Sequence, residues 1–199
     1  MSIEVTYKSH MGSDDFVCDM ARVSFDKVAE NFTKEQNNKL LAYLAKHNHW
    51  SPFAHPQITL HVKCPIFVAR QDFKHVVGFA RNEVSRRYVD DEPEFYTPDV
   101  WRSRPEGSVK QGSGSAVVNW IDEYECVSPD GLVEGLNLAA LDTYNTLLDN
   151  NVAPEQARMV LPQSMYTSYY VTGSLAAWAR AYKQRIESTA QIEIQELAK

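Results

Sequence analysis

Cysteine is scarce in this chain: Cys18, Cys64 and Cys126 are odd in number, far apart and in no CxxC pair. That pattern fits neither a disulfide framework nor a zinc site, and it points to a reducing cytoplasm. An excess of positive charge is missing as well. Lys and Arg number 20 against 26 Asp and Glu, leaving a formal net charge of −6 with the cations scattered. Such a balance argues against a non-specific nucleic-acid binder and against attachment to an anionic membrane. There is no run of about 18 apolar residues, and the start, Met1 to Phe16, has no basic flank followed by an apolar core, so neither a spanning helix nor a secretion signal is expected. Gly-x-Gly-x-x-Gly, the phosphate-binding P-loop and Gly-x-Ser-x-Gly are all absent. Two common nucleotide folds and one hydrolase nucleophile are thereby excluded. None of the cysteines has a recognisable His partner, so covalent catalysis is not indicated. His47, His49 and His55 have no Asp, Glu or Cys at ligand spacing beside them, and no metal is expected.

What the chain does contain suffices for one domain spanning 1–199. It is 44% apolar and 23% charged, so folding can bury roughly two thirds to three quarters of the unfolded surface without a staple. Ile3, Val5 and Tyr7 alternate with polar residues, which predicts a half-buried first strand. A short amphipathic helix follows over 14–23. Thr33 and Gln36 make a helix start, and Leu40, Leu41 and Leu44 recur at helical spacing, predicting a helix over 33–46. Ile58, Leu60 and Val62 alternate with Thr59, His61 and Lys63 as in a strand, and Pro65 opens a helix expected to reach Val76. Residues 103–115, SRPEGSVKQGSGS, read as a flexible loop. The stretch 117–150 is helical in pattern, broken at the turn-like Ser128-Pro129-Asp130-Gly131. Pro154 begins a helix to Val160, 166–172 reads as a strand, and helices are expected near 175–184 and 188–197. The sum is an α+β domain in which helices dominate over a small antiparallel sheet.

Chemistry concentrates in two runs, Arg70 to His75 and Arg81 to Tyr88. Gln71, Lys74 and His75 are spaced i, i+3 and i+4, so on one helix they share a face and can converge on a ligand. Arg86 and Arg87 beside Ser85 can hold a phosphate through guanidinium groups, turned backbone amides and a hydroxyl. A solvated charged loop is the other reading of that run. Arg158 and Arg185 each interrupt an uncharged setting, Arg158 among residues that look buried. A buried guanidinium needs an acid or an anionic ligand, and a structural ion pair satisfies it equally well.

These residues resemble the flavin-dependent thymidylate synthases. The family's signature is Arg-His-Arg followed by Asn-Glu-x-Ser-x-Arg-Tyr; here it reads Lys74-His75-Val76 and Asn82-Glu83-Val84-Ser85-Arg86-Arg87-Tyr88, after Phe67-Val68-Ala69-Arg70-Gln71. Further matching blocks run through 21–25, 49–55, 94–96, 157–162 and 190–195, so the resemblance covers nearly the whole chain. It implies the family's α+β fold, a homotetramer with shared active sites, and reductive methylation of dUMP with FAD, NADPH and methylenetetrahydrofolate. Carried over by position, Gln71, Lys74, Glu83, Ser85, Arg86, Arg87 and Arg158 would hold dUMP, with Arg185 on the uracil as the catalytic residue. Ser24, Ser51, Lys74, His75, Val76 and Glu83 match positions around FAD. Lys74 and Val76 replace two signature arginines and the segment between His75 and Asn82 is one residue longer, so the FAD phosphates are expected to be held differently or more weakly. Arg180 stands where it can restore the missing charge.

Two other classes remain open from the sequence. A non-catalytic nucleotide-binding homologue of the same fold is favoured by Lys74 and Val76; an interaction protein would use the charged loop to join subunits. A cytoplasmic location is expected, the host cytoplasm if the divergent motif marks a viral branch.

Overall fold

The structure is a computed structural model that describes residues 3–89, 91–106, 112–120 and 128–199. Among them are seven α-helices and four strands. The strands are β1 (Glu4–Met11), β2 (Gln57–Pro65), β3 (Phe79–Glu83) and β4 (Tyr166–Ser174), all antiparallel in the order β1-β2-β4-β3. The helices are α1 (Asp14–Arg22), α2 (Lys34–Lys46), α3 (Ile66–Asp72), α4 (Pro129–Asp149), α5 (Pro154–Ala157), α6 (Leu175–Arg185) and α7 (Ile192–Ala198). The α+β class expected from the sequence is the one found.

Strand pairing decides which residues share a face. Leu60 and Val62 stand opposite Val171 and Tyr169, and Arg81 and Glu83 opposite the same two residues. This face carries the core of Val62, Cys64, Tyr169 and Val171, packed against Val68 and Ala69 of α3 and Ile194 of α7. Gly173 belongs to it for a steric reason: an added Cβ would lie 2.4 Å from the Phe79 ring, which meets Trp178 edge to face. The expected half-burial of β1 is not found, since Glu4–Met11 is exposed along its length. β1 is an edge strand, hydrogen-bonded to β2 on one side alone, and both sets of its alternating side chains stay exposed among the described residues.

Helix starts follow side-chain chemistry. Thr33 and Gln36 form a reciprocal capping box on α2, as the sequence indicated. Ser128 caps α4 through the amide of Gly131, with Pro129 in the first turn. Ser128 to Gly131 is therefore the start of α4. Upstream, Val117 pairs with Arg102 in an isolated bridge instead of joining a helix, and 121–127 lie outside the described residues. The Gly- and Ser-rich segment is described at 103–106 and 112–115, where the Gly114 N–H donates to the Ser103 carbonyl; 107–111 lie outside.

The largest departure is at α3, which ends at Asp72 instead of reaching Val76. Pro65 is its N-cap. The last carbonyls are taken by tight turn bonds, Lys74 N–H to Gln71 and His75 N–H to Asp72, and the chain then swings through Gly78 at φ +84° into β3. Only glycine suits that turn, because it adopts positive φ freely and an added Cβ would fall 2.8 Å from that of Ala177.

Candidate active site

Two cavities flank α3, and neighbouring residues of that helix face different ones. Arg70 lines a cavity of about 830 Å³ together with Glu83, Arg86 and Arg158. Gln71 lines another, of about 650 Å³, with Arg185, Gln184 and Gln191.

The first cavity is built by the end of β3 and the turn after it. Glu83 accepts a hydrogen bond from the Thr167 hydroxyl at 2.7 Å. Ser85 Oγ accepts from the Arg87 amide at 3.3 Å and from Arg158 Nη1 at 3.5 Å. Arg86 donates to the Asp91 carbonyl. Arg87 pairs with Glu155 at 3.4 Å in an exposed contact, and Arg158 Nε donates to the Glu155 carbonyl. Three guanidinium groups, of Arg70, Arg86 and Arg158, border one hollow together with Lys63 and five acids, Glu83, Asp91, Glu92, Glu94 and Glu155. Lys63 is paired with Glu94, so the three guanidinium groups are the cations that can meet a phosphate there. Arg158 is exposed rather than buried as its neighbours suggested: Ala157 is fully buried, but Met159 is 80% exposed. The residues after α5 form a tight 3-10 turn that throws their side chains outward. Arg70 was not among the binding residues expected, although its signal was its place beside Gln71. Its side chain makes no hydrogen bond or ion pair among the described residues, leaving its donors for a ligand.

The second cavity centres on Arg185, at the end of α6. Its Nε donates to His75 Nε2 at 2.8 Å and its Nη2 to the Gln71 carbonyl at 3.1 Å. A guanidinium only donates, so His75 Nε2 must be an unprotonated acceptor and the ring proton lies on Nδ1. Burial, and after it the Arg185 cation, hold the imidazole below its ordinary pKa, which favours the same neutral state. The side-chain oxygen of Gln71 is buried without a partner among the described residues. An orphaned polar atom beside a cavity wall carries a desolvation cost that a ligand can relieve.

Because α3 stops early, Gln71, Lys74 and His75 do not share a helix face. Gln71 and His75 still meet at Arg185, while Lys74 is exposed and joins neither cavity's lining. Val76 is 68% exposed beside Val77. Arg180 reaches this loop, donating to the Val77 carbonyl at 2.5 Å. Ser24 and Ser51, in short 3-10 turns, are exposed and line neither cavity within the chain.

Thiol chemistry is disfavoured. Cys64 is fully buried and its pKa is pushed up to about 12 by that burial; Cys18 is buried and raised for the same reason, and Cys126 lies outside the described residues. No group of His, Cys, Asp and Glu among the described residues could hold a metal. His47 and His49 pack on Tyr43 instead. No helix described is long and apolar enough to cross a membrane.

Comparison with known proteins gives the arrangement a family. Residues 7–199 match the family described as thymidylate synthase complementing protein. A flavin-dependent thymidylate synthase of Thermosipho africanus is 38% identical over 188 residues, covering 94% of this chain and 79% of the relative. That of Thermosipho melanesiensis is 35% identical over 199 residues, with the same coverage. Among solved structures, the UMP/dUMP methylase PolB from Streptomyces cacaoi, bound with 5-Br dUMP, superposes with a TM-score of 0.77 at 27% identity, covering 99% of this chain and 87% of that one. Matched over nearly its full length by family, relatives and fold alike, the chain belongs to the thymidylate synthase complementing proteins, the family of the flavin-dependent thymidylate synthases.

Proposed function

We propose that this protein methylates dUMP to dTMP reductively, using FAD, NADPH and methylenetetrahydrofolate. The observation that carries the reading is the Arg185 cavity, where a guanidinium is held by two acceptors on its inner edge. Arginine has five N–H donors, so those on the far side of the group stay available. They can polarise a uracil carbonyl and stabilise negative charge as it grows on the ring, without reorganising first. Gln71, with its unpaired amide oxygen, supplies a partner for the ring's imide edge. Arg70, Arg86 and Arg158, which line the first hollow, take the phosphate together with Arg87 of the adjoining turn, which lies outside that lining, and Glu83 and Ser85 orient the nucleotide.

The two cavities have no lining residue in common, so the ring-side and phosphate-side groups of one chain face different hollows. A homotetramer whose sites combine residues from several copies explains the division. It also explains why exposed Ser24 and Ser51 touch neither cavity within one chain.

The residues of the 74–77 loop fit a flavin dinucleotide by their chemistry. Lys74 and Arg180 provide cations, His75 Nδ1–H a donor, and exposed Val76 and Val77 an apolar surface for a flat ring. Bound FAD would relay reducing equivalents from the nicotinamide to the one-carbon unit. Lys74 keeps a charge without the planar fork of arginine, and Val76 offers none, so Arg180 is left as the guanidinium of this loop. A cytoplasmic site of action accords with the unpaired cysteines.

Tritium release from dUMP labelled at position 5 tests the proposal. Release that requires FAD and the folate supports it, and none under any condition removes it. Val76 is the observation favouring a non-catalytic nucleotide binder, which purified protein lacking flavin absorbance but binding dUMP would establish instead.

A further inference from the structure

Arg81 has so far been only a member of a charged run, yet its surroundings are unlike those of its neighbours. It lies on the inner face of β3, between Phe79 and Glu83, where the sheet otherwise carries core residues. Its side chain is 12% exposed and that of its partner Asp72 is 13%. All three of its nitrogens are engaged. Nε donates to Asp72 Oδ2 at 3.2 Å, Nη2 to the Asp72 carbonyl at 3.2 Å, and Nη1 to the His75 carbonyl at 2.6 Å. The guanidinium also stands over the Phe79 and Phe73 rings, 4.8 and 5.4 Å from their centroids. Tyr169, deep in the core, donates to the same Asp72 Oδ2 at 3.0 Å.

These contacts converge on the end of α3. A helix C-terminus leaves carbonyls unpaired and carries partial negative charge, which favours cations there. Here two arginines divide the task. Arg185 takes the Gln71 carbonyl and the His75 ring, and Arg81 takes the Asp72 and His75 carbonyls. His75 is thus gripped by its backbone from one arginine and by its imidazole from the other.

We infer that Arg81 is a positioning residue for the reaction: by fixing the His75 backbone it aims Nε2 at Arg185 and so sets where the Arg185 guanidinium meets the ring. With every nitrogen engaged, its side chain largely buried and no place in the lining of either cavity, Arg81 acts through its neighbours and not on a ligand. The inference rests on the reading of Arg185 as the group that polarises uracil, and a double-mutant cycle separates the two.

Arg81→Lys is the informative variant, because lysine keeps a cation opposite Asp72 but cannot reach Asp72 and two carbonyls at once. Single-turnover dTMP formation at saturating dUMP should fall about tenfold or more, the scale of a small misplacement of a catalytic group. KM for dUMP and bound flavin per folded protein should stay close to wild type, while the melting temperature falls by a few degrees for the hydrogen bonds that lysine cannot make. In an Arg185→Ala background the same substitution should cost nothing further, since the group it positions is gone. If Arg81→Lys is too unstable to assay, Arg81→Gln with Asp72→Asn, which removes both charges together, takes its place in the cycle. Full single-turnover rate in the folded variant, or an equal loss with and without Arg185, overturns the inference. A silent Arg185→Ala would instead overturn the reading of Arg185.

Discussion

Replacing Arg185 with alanine separates a stability cost from a chemical one. The substitution removes the hydrogen bonds to His75 Nε2 and to the Gln71 carbonyl. Each is worth about 1 kcal/mol net, and Arg185 is half-buried, so water can replace the lost donors; the total cost to folding is about 1 to 2 kcal/mol. For a chain of this size that lowers the melting temperature by roughly 2 to 8 °C. The rate should suffer more, because charge on the ring is greater in the activated state than in bound dUMP. Loss of one preorganised stabiliser costs about 3 to 4 kcal/mol, at least a hundredfold in rate. Lysine should restore only part, since one ammonium cannot span His75, the Gln71 carbonyl and the ring. Single-turnover dTMP formation at saturating dUMP is the assay, as it excludes binding from the comparison. An alanine variant that keeps the wild-type rate there would refute the reasoning.

His75 predicts a pH dependence. Burial and Arg185 hold its pKa below the ordinary 6.5, with Arg81 and Arg180 acting in the same sense and Asp72 against them. Between that lowered value and 6.5 the unfolded chain binds a proton that the folded chain does not, so stability should fall as pH drops through this window. His75→Gln, an acceptor that does not titrate, should flatten this dependence in thermal melts; an unchanged profile would assign it elsewhere. Arg70→Ala and Arg158→Ala should each raise the dUMP dissociation constant by roughly 2 to 3 kcal/mol, the worth of a charge-assisted contact, and calorimetric affinities equal to wild type would remove both from the site. Alanine at Cys18, Cys64 and Cys126 together should preserve turnover per folded protein, because the buried thiols are protonated at neutral pH; a folded variant without activity would reveal a missed nucleophile.

The fold was most legible where the signal was local. Thr33 with Gln36 announced α2, alternation announced β2, and the aromatic and β-branched run 166–172 announced β4, because caps, pleats and side-chain shape act within a few residues. The end of α3 was not legible. Its sequence continues in helical character past Asp72, and what stops it is Gly78 together with guanidinium groups arriving from β3 and α6, more than a hundred positions away in the case of Arg185. The exposure of Arg158 was hidden for a related reason, as a 3-10 turn after α5 reverses the burial its neighbours suggest. For the site, the residue types were readable and their grouping was not. Nothing in the order Arg70-Gln71 says that the two face different hollows. Arg81 looked like one more surface charge until β3 placed it on the core face.

That partition has a thermodynamic side. The seven residues of α3 form a wall common to both hollows, with Arg70 on one surface and Gln71 on the next. So short a helix cannot shift toward a phosphate without carrying the Gln71 carbonyl, and with it the anchor of Arg185. Occupancy of one hollow would then be communicated to the other, and reciprocity would require the coupling to be equal in both directions. With sites assembled from several copies, the two hollows of one chain would serve different nucleotides, and the short α3 between them would link neighbouring sites rather than the two ends of one dUMP.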